Sequence, residues 1–185
     1  IVTGAARGIG LGIAMHLLKA GDAVVAADVR EDLESMVLEK LEPCGGPVMF
    51  IATDVSDAES AKACVDRTIE RFGRLDAVVN NAGLANCSFP PLEEMELATW
   101  QRVIDVNLTG PMLMSRAAIP SLKQSDQAAI VNIASTRALQ SEFNDEPYAA
   151  SKGGLIALTQ AMAISLSHHV RVNAICPGWI DTRPW

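Results

Sequence analysis

Apolar positions along this chain fall into short continuous runs separated by longer stretches with helical spacing. Six runs, over 1–3, 23–29, 48–52, 77–80, 129–134 and 170–175, read as strands buried on both faces. Between them the 3.6-residue periodicity predicts helices over 8–20, 31–41, 58–72, 97–122 and 147–168, the fourth broken or bent inside. Buried strands alternating with helices are the pattern of a parallel sheet, because each crossover lays a helix over one of its faces. The expected fold class is α/β, a doubly wound parallel sheet with helices on both faces, in a single domain over 1–185. Gly21-Asp22, Cys44-Gly45-Gly46-Pro47 and Gly73 mark helix ends, and 88–91 reads as a loop. No short-period repeat or low-complexity run supports a solenoid or a linker.

Composition narrows the class. A chain of 185 residues that is 49% hydrophobic holds enough apolar side chains for one substantial core. Its net charge of −7 argues against a binder of phosphate backbones, so nucleic acid is not an expected partner. No apolar stretch reaches bilayer length and no leader-like segment precedes the first strand, so the expectation is a soluble cytoplasmic protein without a membrane partner. Cys44, Cys64, Cys87 and Cys176 lack C-x-x-C spacing, which fits reduced thiols rather than a disulfide framework or a metal site. His16, His168 and His169 fall on the first helix and at the end of the last, where structural roles account for them.

The candidate chemistry lies between these elements. Tyr148 is the only tyrosine, and Lys152 follows four residues later, on the same face of a helix. An ammonium beside a phenol favours the phenolate and makes the tyrosine a usable acid or base near neutral pH. Thr3-Gly4-Ala5-Ala6-Arg7-Gly8-Ile9-Gly10 sits where the first strand hands over to the first helix. There the missing Cβ atoms let backbone N–H groups approach a pyrophosphate at a positive helix end. The spacing is G-x-x-x-G-x-G, and the alternative is a tight turn that packs a helix close to a strand. Asp28 ends the second strand at the distance where an acid meets adenine ribose hydroxyls, which favours NAD. Arg7 and Arg30 pull towards NADP, the second choice, because either can pair with a 2′-phosphate. Asp54-Val55 and Asn80-Asn81-Ala82-Gly83 follow the third and fourth strands, at the end where open α/β sheets bind ligands; plain turn chemistry is the alternative for each.

Assembled, these residues resemble the successive motifs of the classical short-chain dehydrogenase/reductase family. The likeness runs from Thr3-Gly4-x-x-x-Gly8-x-Gly10 through Asn80-Asn81-Ala82-Gly83, Asn107, Ser135 and Tyr148-x-x-x-Lys152 to Asn173 and Pro177-Gly178. It implies a Rossmann-like fold and an NAD(H)-dependent oxidoreductase that interconverts a secondary alcohol and a ketone. By this resemblance Tyr148 is the general acid or base, Lys152 depresses its pKa and holds the nicotinamide ribose, and Ser135 bonds the substrate oxygen. Asn107 bends its helix around a water of the proton relay. The cofactor is implied to lie on Gly4, Arg7, Gly8, Ile9 and Gly10, on Asp28, on Asp54 and Val55, and on Asn81, Ala82 and Gly83. Tyr148, Lys152, Pro177, Gly178, Ile180 and Thr182 complete its nicotinamide side. Asn80 and Asn81 have an equally good structural reading.

The family's first strand begins several residues before Ile1, and its chains continue past Trp185 through a substrate-covering helical segment and a seventh strand. The chain is therefore expected to be short at both ends. Two further functions follow from these readings as alternatives: a non-catalytic nucleotide-binding or interaction protein, and an NADP-dependent carbonyl or 3-oxoacyl reductase. Arg137, in the loop after Ser135, reads either as a ligand for a substrate carboxylate or phosphate or as a surface or interface arginine neutralised by Glu142, Asp145 and Glu146. Met112, Leu113, Met114, Leu155, Leu158 and Met162 exceed what a sheet face needs, and family members pair these helices, so a homodimer or homotetramer is expected.

Overall fold

The structure is a computed structural model, which describes residues 1–85 and 89–182. Cys87, Ser88 and the terminal Trp185 of the sequence reading lie outside the described residues. Six parallel strands form the sheet: β1 (Val2–Thr3), β2 (Val24–Asp28), β3 (Val48–Ala52), β4 (Ala77–Asn80), β5 (Ala129–Ile133) and β6 (Arg171–Ile175). Their order is β3-β2-β1-β4-β5-β6. The chain reverses its direction of travel across the sheet between β1 and β4, which opens a crevice at the carboxyl ends of these strands. The connections are α1 (Gly8–Lys19), α2 (Glu34–Leu41), α3 (Ala58–Phe72), α4 (Leu97–Ile104), α5 (Gly110–Leu122) and α6 (Glu146–Ser165).

The core divides into two clusters, as a sheet buried on both sides requires. Leu11, Ala14 and Leu18 of α1 pack with Val37 and Leu41 of α2. Cys64 and Val65 of α3 pack with Leu113, Met114 and Leu122 of α5. The helix surplus expected to form a second surface is partly spent here: Leu113, Met114 and Leu155 are core residues. Leu97 on α4 and Ile164 on α6 are the strongly exposed apolar side chains of these helices instead. Among the described residues no helix is long and apolar enough to cross a membrane.

Local chemistry explains where the elements stop. Asp57 caps α3 by accepting from the Ser60 N–H at 2.9 Å, and Gly73 closes it at φ 74°, a conformation that favours glycine. The predicted helix over 31–41 begins as a 3₁₀ turn, Glu31–Leu33, before α2. The predicted helix over 97–122 is three pieces, with a π-helical turn at Asp105–Thr109 joining α4 to α5. The last helix ends at Ser165, because Leu166 folds into the core and its carbonyl accepts the N–H groups of His169 and Val170. His168 and His169 therefore lie beyond the helix, in the turn that leads to β6.

A buried amide chain ties the middle of the sheet to its helices. Asn80 donates to Asn132 Oδ1 at 2.8 Å and to Ser115 Oγ at 3.2 Å, and Asn132 donates to Thr159 Oγ1 at 2.8 Å. Asn80 is thus a scaffold residue bridging β4, β5 and α5, which resolves the two readings of that position.

Candidate active site

The crevice between β1 and β4 opens into a cavity of about 920 Å³. Its floor is the glycine turn. Gly4 and Gly8 have φ of +64° and +58°, which L side chains rarely adopt. Gly10 serves by close approach. A Cβ there would lie 2.5 Å from Asn81 Nδ2 and closer still to the Gly4 carbonyl oxygen. Asn81 Nδ2 donates to the carbonyls of Thr3, at 2.9 Å, and Gly4, at 3.2 Å. The Thr3 hydroxyl in turn accepts the N–H groups of Asn81 and Ala82, both at 3.0 Å. These bonds fasten the turn after β4 to the turn after β1. Gly10→Ala is therefore expected to cost about 2 kcal/mol of stability by overpacking backbone against backbone. Urea unfolding of the variant measures this, and a midpoint equal to that of the unmodified chain refutes the contact.

The amino end of α1 has no side-chain cap and no acidic residue in its first turn. Its leading N–H groups and the positive pole of the helix therefore face the cavity ready for an anion. Asp28 stands at the tip of β2, where Oδ2 accepts from Ala6 N–H at 2.9 Å and Oδ1 from Arg30 N–H at 3.1 Å. The two bonds fix the carboxylate at the cavity wall. The Arg30 guanidinium turns to Asp32 instead, donating through Nε at 2.8 Å and Nη2 at 2.7 Å. Arg7 also lines the cavity and is exposed. Asp54 accepts from Ser56 N–H at 2.9 Å and Oγ at 2.5 Å, with Arg102 Nη2 at 3.9 Å. Burial opposes its ionisation, but the Ser56 bonds and the Arg102 charge hold the carboxyl below its ordinary range.

The other end of the cavity gathers Ser135, Tyr148 and Lys152. Ser135 follows β5, buried, with its Oγ accepting Arg137 N–H at 3.2 Å. Tyr148 and Lys152 project from successive turns of α6, with Nζ 5.7 Å from the centre of the phenol ring. Lys152 is only 4% exposed and donates to the Ile133 carbonyl at 2.7 Å. Burial lowers its pKa from 10.5 to about 8.

Asn107 stands one layer behind, fully buried within the π-helical turn. Its Oδ1 accepts Leu84 N–H at 2.7 Å, and Nδ2 donates to the Leu84 carbonyl and to Ser151 Oγ, both at 3.1 Å. Ser151 Oγ donates to the Tyr148 carbonyl at 2.7 Å. The bent helix, the turn after β4 and the tyrosine turn of α6 are joined through one amide.

Every site residue named from the sequence lines the cavity except Gly10 and Asn107, which support it from behind. Sequence reasoning missed Thr3 as the acceptor that joins two loops, Ser151 as a bridge to Asn107, and Trp179 at the cavity mouth. Trp179 follows Pro177-Gly178 directly, and a large aromatic beside a cavity-lining turn was the available signal. Arg137 has the partners expected of it in Glu142 and Asp145, but it lines the cavity with its side chain only 11% exposed. Glu146 is not among its ion-pair partners.

The parallel sheet with a glycine turn at its switch point is a doubly wound α/β fold, and the crevice there brings a tyrosine and a lysine of one helix into the same cavity. The family model described as short chain dehydrogenase matches residues 1–184. An uncharacterized oxidoreductase of Thermotoga maritima is 46% identical over 186 residues, covering 100% of this chain and 72% of that protein. The cis-4-hydroxycyclohexanecarboxylate dehydrogenase of Sinomonas cyclohexanicum is 39% identical over 183 residues, covering 98% of this chain and 73% of that one. The crystal structure of a candidate short-chain alcohol dehydrogenase from Sinorhizobium meliloti 1021 superposes with a TM-score of 0.92 at 35% identity, covering 98% of this chain and 71% of that one. The chain belongs to the short-chain dehydrogenase family of oxidoreductases, whose members use nicotinamide dinucleotides.

Proposed function

We propose that this chain is an NAD(H)-dependent oxidoreductase that interconverts a secondary alcohol and a ketone. The observation that carries the proposal is the meeting of Ser135, Tyr148 and Lys152 with the glycine turn and Asp28 in one cavity of about 920 Å³. That volume lies in the range of cofactor and small-molecule sites. The residues present fit a dinucleotide: an uncapped helix end for the pyrophosphate, a fixed carboxylate for ribose hydroxyls, and a buried lysine at the far end. When bound, the nicotinamide supplies or accepts the hydride.

The protein's own task is to hold the substrate oxygen and manage its proton. In the reduction direction Tyr148 gives its phenolic proton to the carbonyl oxygen, and in oxidation it takes the proton from the hydroxyl. Ser135 Oγ bonds the same oxygen and stabilises the charge that develops there. Lys152 stands over the phenol ring and stabilises negative charge left on its oxygen. Asn107 keeps the helix turn of Tyr148 in register through Ser151.

NAD is preferred to NADP because Asp28 presents a fixed negative charge where a 2′-phosphate would lie, and Arg30 is already engaged by Asp32. Asp28→Ala is expected to weaken NADH binding about tenfold and to narrow the NADH over NADPH preference, at about the value of one charge-assisted hydrogen bond. Nicotinamide fluorescence titrations with both cofactors read this directly. An unchanged ratio would move the discrimination to Arg7.

A further inference from the structure

We infer that Arg137 is a positioning residue, an internal clamp that holds the Ser135 loop and the Tyr148 helix in one geometry. The inference rests on the catalytic reading of Ser135 and Tyr148 given above.

The guanidinium is occupied on three sides. Its Nη1 donates to Asp145 Oδ2 at 3.0 Å, and its Nη2 pairs with Glu142 Oε2 at 2.6 Å. Its Cζ lies over the Trp179 ring, 5.3 Å from its centre. A group engaged in this way has little left to offer an anionic substrate, so its presence in the cavity wall needs another explanation.

Asp145 supplies it. The residue stands at the N-cap of α6, three positions before Tyr148, where an aspartate ordinarily accepts an N–H of its own helix. Here it makes no side-chain cap, is 2% exposed, and turns its carboxylate to Arg137. Asn144 just before it adopts a left-handed φ of 51°, the departure that delivers Asp145 to this place. The helix that carries Tyr148 has exchanged a cap within its own first turn for a bond to the Ser135 loop, eight positions upstream.

The main chain of Arg137 completes the connection. Its N–H donates to Ser135 Oγ, and the preceding Thr136 N–H donates to the Pro177 carbonyl at 3.1 Å. Side chain and backbone of one residue thus touch the end of β5, the start of α6 and the segment after β6. Those three pieces carry Ser135, Tyr148 and Pro177-Gly178. The forked, planar guanidinium suits this task, and a lysine can restore the charge but neither the fork nor the stacking.

The test uses the only tyrosine as its reporter. Chain labelled with carbon-13 at the tyrosine ζ position gives one phenol resonance, from Tyr148, with or without a known substrate. In Arg137→Gln that resonance is expected to shift and broaden, because the helix that carries the phenol loses its tie to the Ser135 loop. With an alcohol substrate in hand, kcat should fall by about tenfold or more, the cost of a misplaced acid. Arg137→Lys should recover part of the line shape.

Arg137→Gln leaves the Asp145 carboxylate buried without a partner and is at risk of unfolding. The double variant Arg137→Gln with Asp145→Asn removes that orphan charge, so it is expected to fold while the Tyr148 resonance remains displaced. A Tyr148 resonance unchanged in the folded single or double variant overturns the inference and leaves Arg137 a mere ion pair. Loss of NADH binding in the unmodified chain strikes the oxidoreductase reading instead, and leaves the resonance result standing on its own.

Discussion

Tyr148→Phe is expected to lower turnover about a thousandfold, the middle of the range for losing a general acid or base. In barrier terms that is about 4 kcal/mol. The substitution keeps the ring beneath Lys152 Nζ and removes only the oxygen and its proton. NADH affinity should therefore stay within a few-fold, and the damage should fall on kcat rather than on cofactor binding. Steady-state kinetics beside a fluorescence titration separates the two. Turnover within threefold of the unmodified chain, about 0.7 kcal/mol, is too small for the loss of a proton donor and would exclude Tyr148 from that role.

The prediction is sharp because the phenol has no understudy. Ser135 Oγ accepts a backbone N–H and is placed to bond an oxygen, but a hydroxyl of ordinary acidity is a poor proton donor near neutral pH. Lys152 is mostly protonated below its pKa of about 8, yet it is buried and its Nζ already donates to the Ile133 carbonyl. Each partner shapes the site without duplicating the tyrosine, so single removal exposes the full cost.

Much of the fold was legible because the signals that set it are local. The predicted strands at 48–52 and 77–80 and the helix at 58–72 coincide with β3, β4 and α3. In α3 the cap Asp57 and the closing Gly73 each lie one residue beyond a helix end, and the N–H that Asp57 accepts is three residues on, so a window of sequence contains them. The π-helical turn was visible only as a break in a long helix. Its stabilising partners, Leu84 and Ser151, are 23 and 44 positions from Asn107, and no local window holds all three. The two readings of Asn80 divided for the same reason: its partners Ser115 and Asn132 meet it only in the folded sheet. For Arg137 the sequence supplied the acidic partners but not the burial. Whether a charged pair lies in solvent or in a cavity wall depends on where Trp179 arrives after β6.

Lys152 joins stability to function in opposite directions. The folded chain holds the amine at a pKa of about 8 against 10.5 when exposed, because burial penalises its charge. Between those values the unfolded chain binds the proton more tightly, so stability rises with pH through that window. Below pH 8 the charge is carried into the fold at its full cost, about 3 kcal/mol for that difference in pKa. Replacing Lys152 by Met, which removes the charge and keeps an apolar chain, is therefore expected to stabilise the chain at pH 7 by about 2 kcal/mol after the bond to Ile133 is lost. The same variant should lose most of its turnover, since the cation that stabilises charge on the phenol in the proposed mechanism is gone. Urea unfolding from pH 7 to 10.5 should show wild-type stability climbing towards that of Lys152→Met. Parallel curves across this range would mean that the amine is not buried as a charge. In the proposed mechanism the ammonium is kept beside the phenol for reactivity, and the stability gained by removing it measures what that reactivity costs the fold.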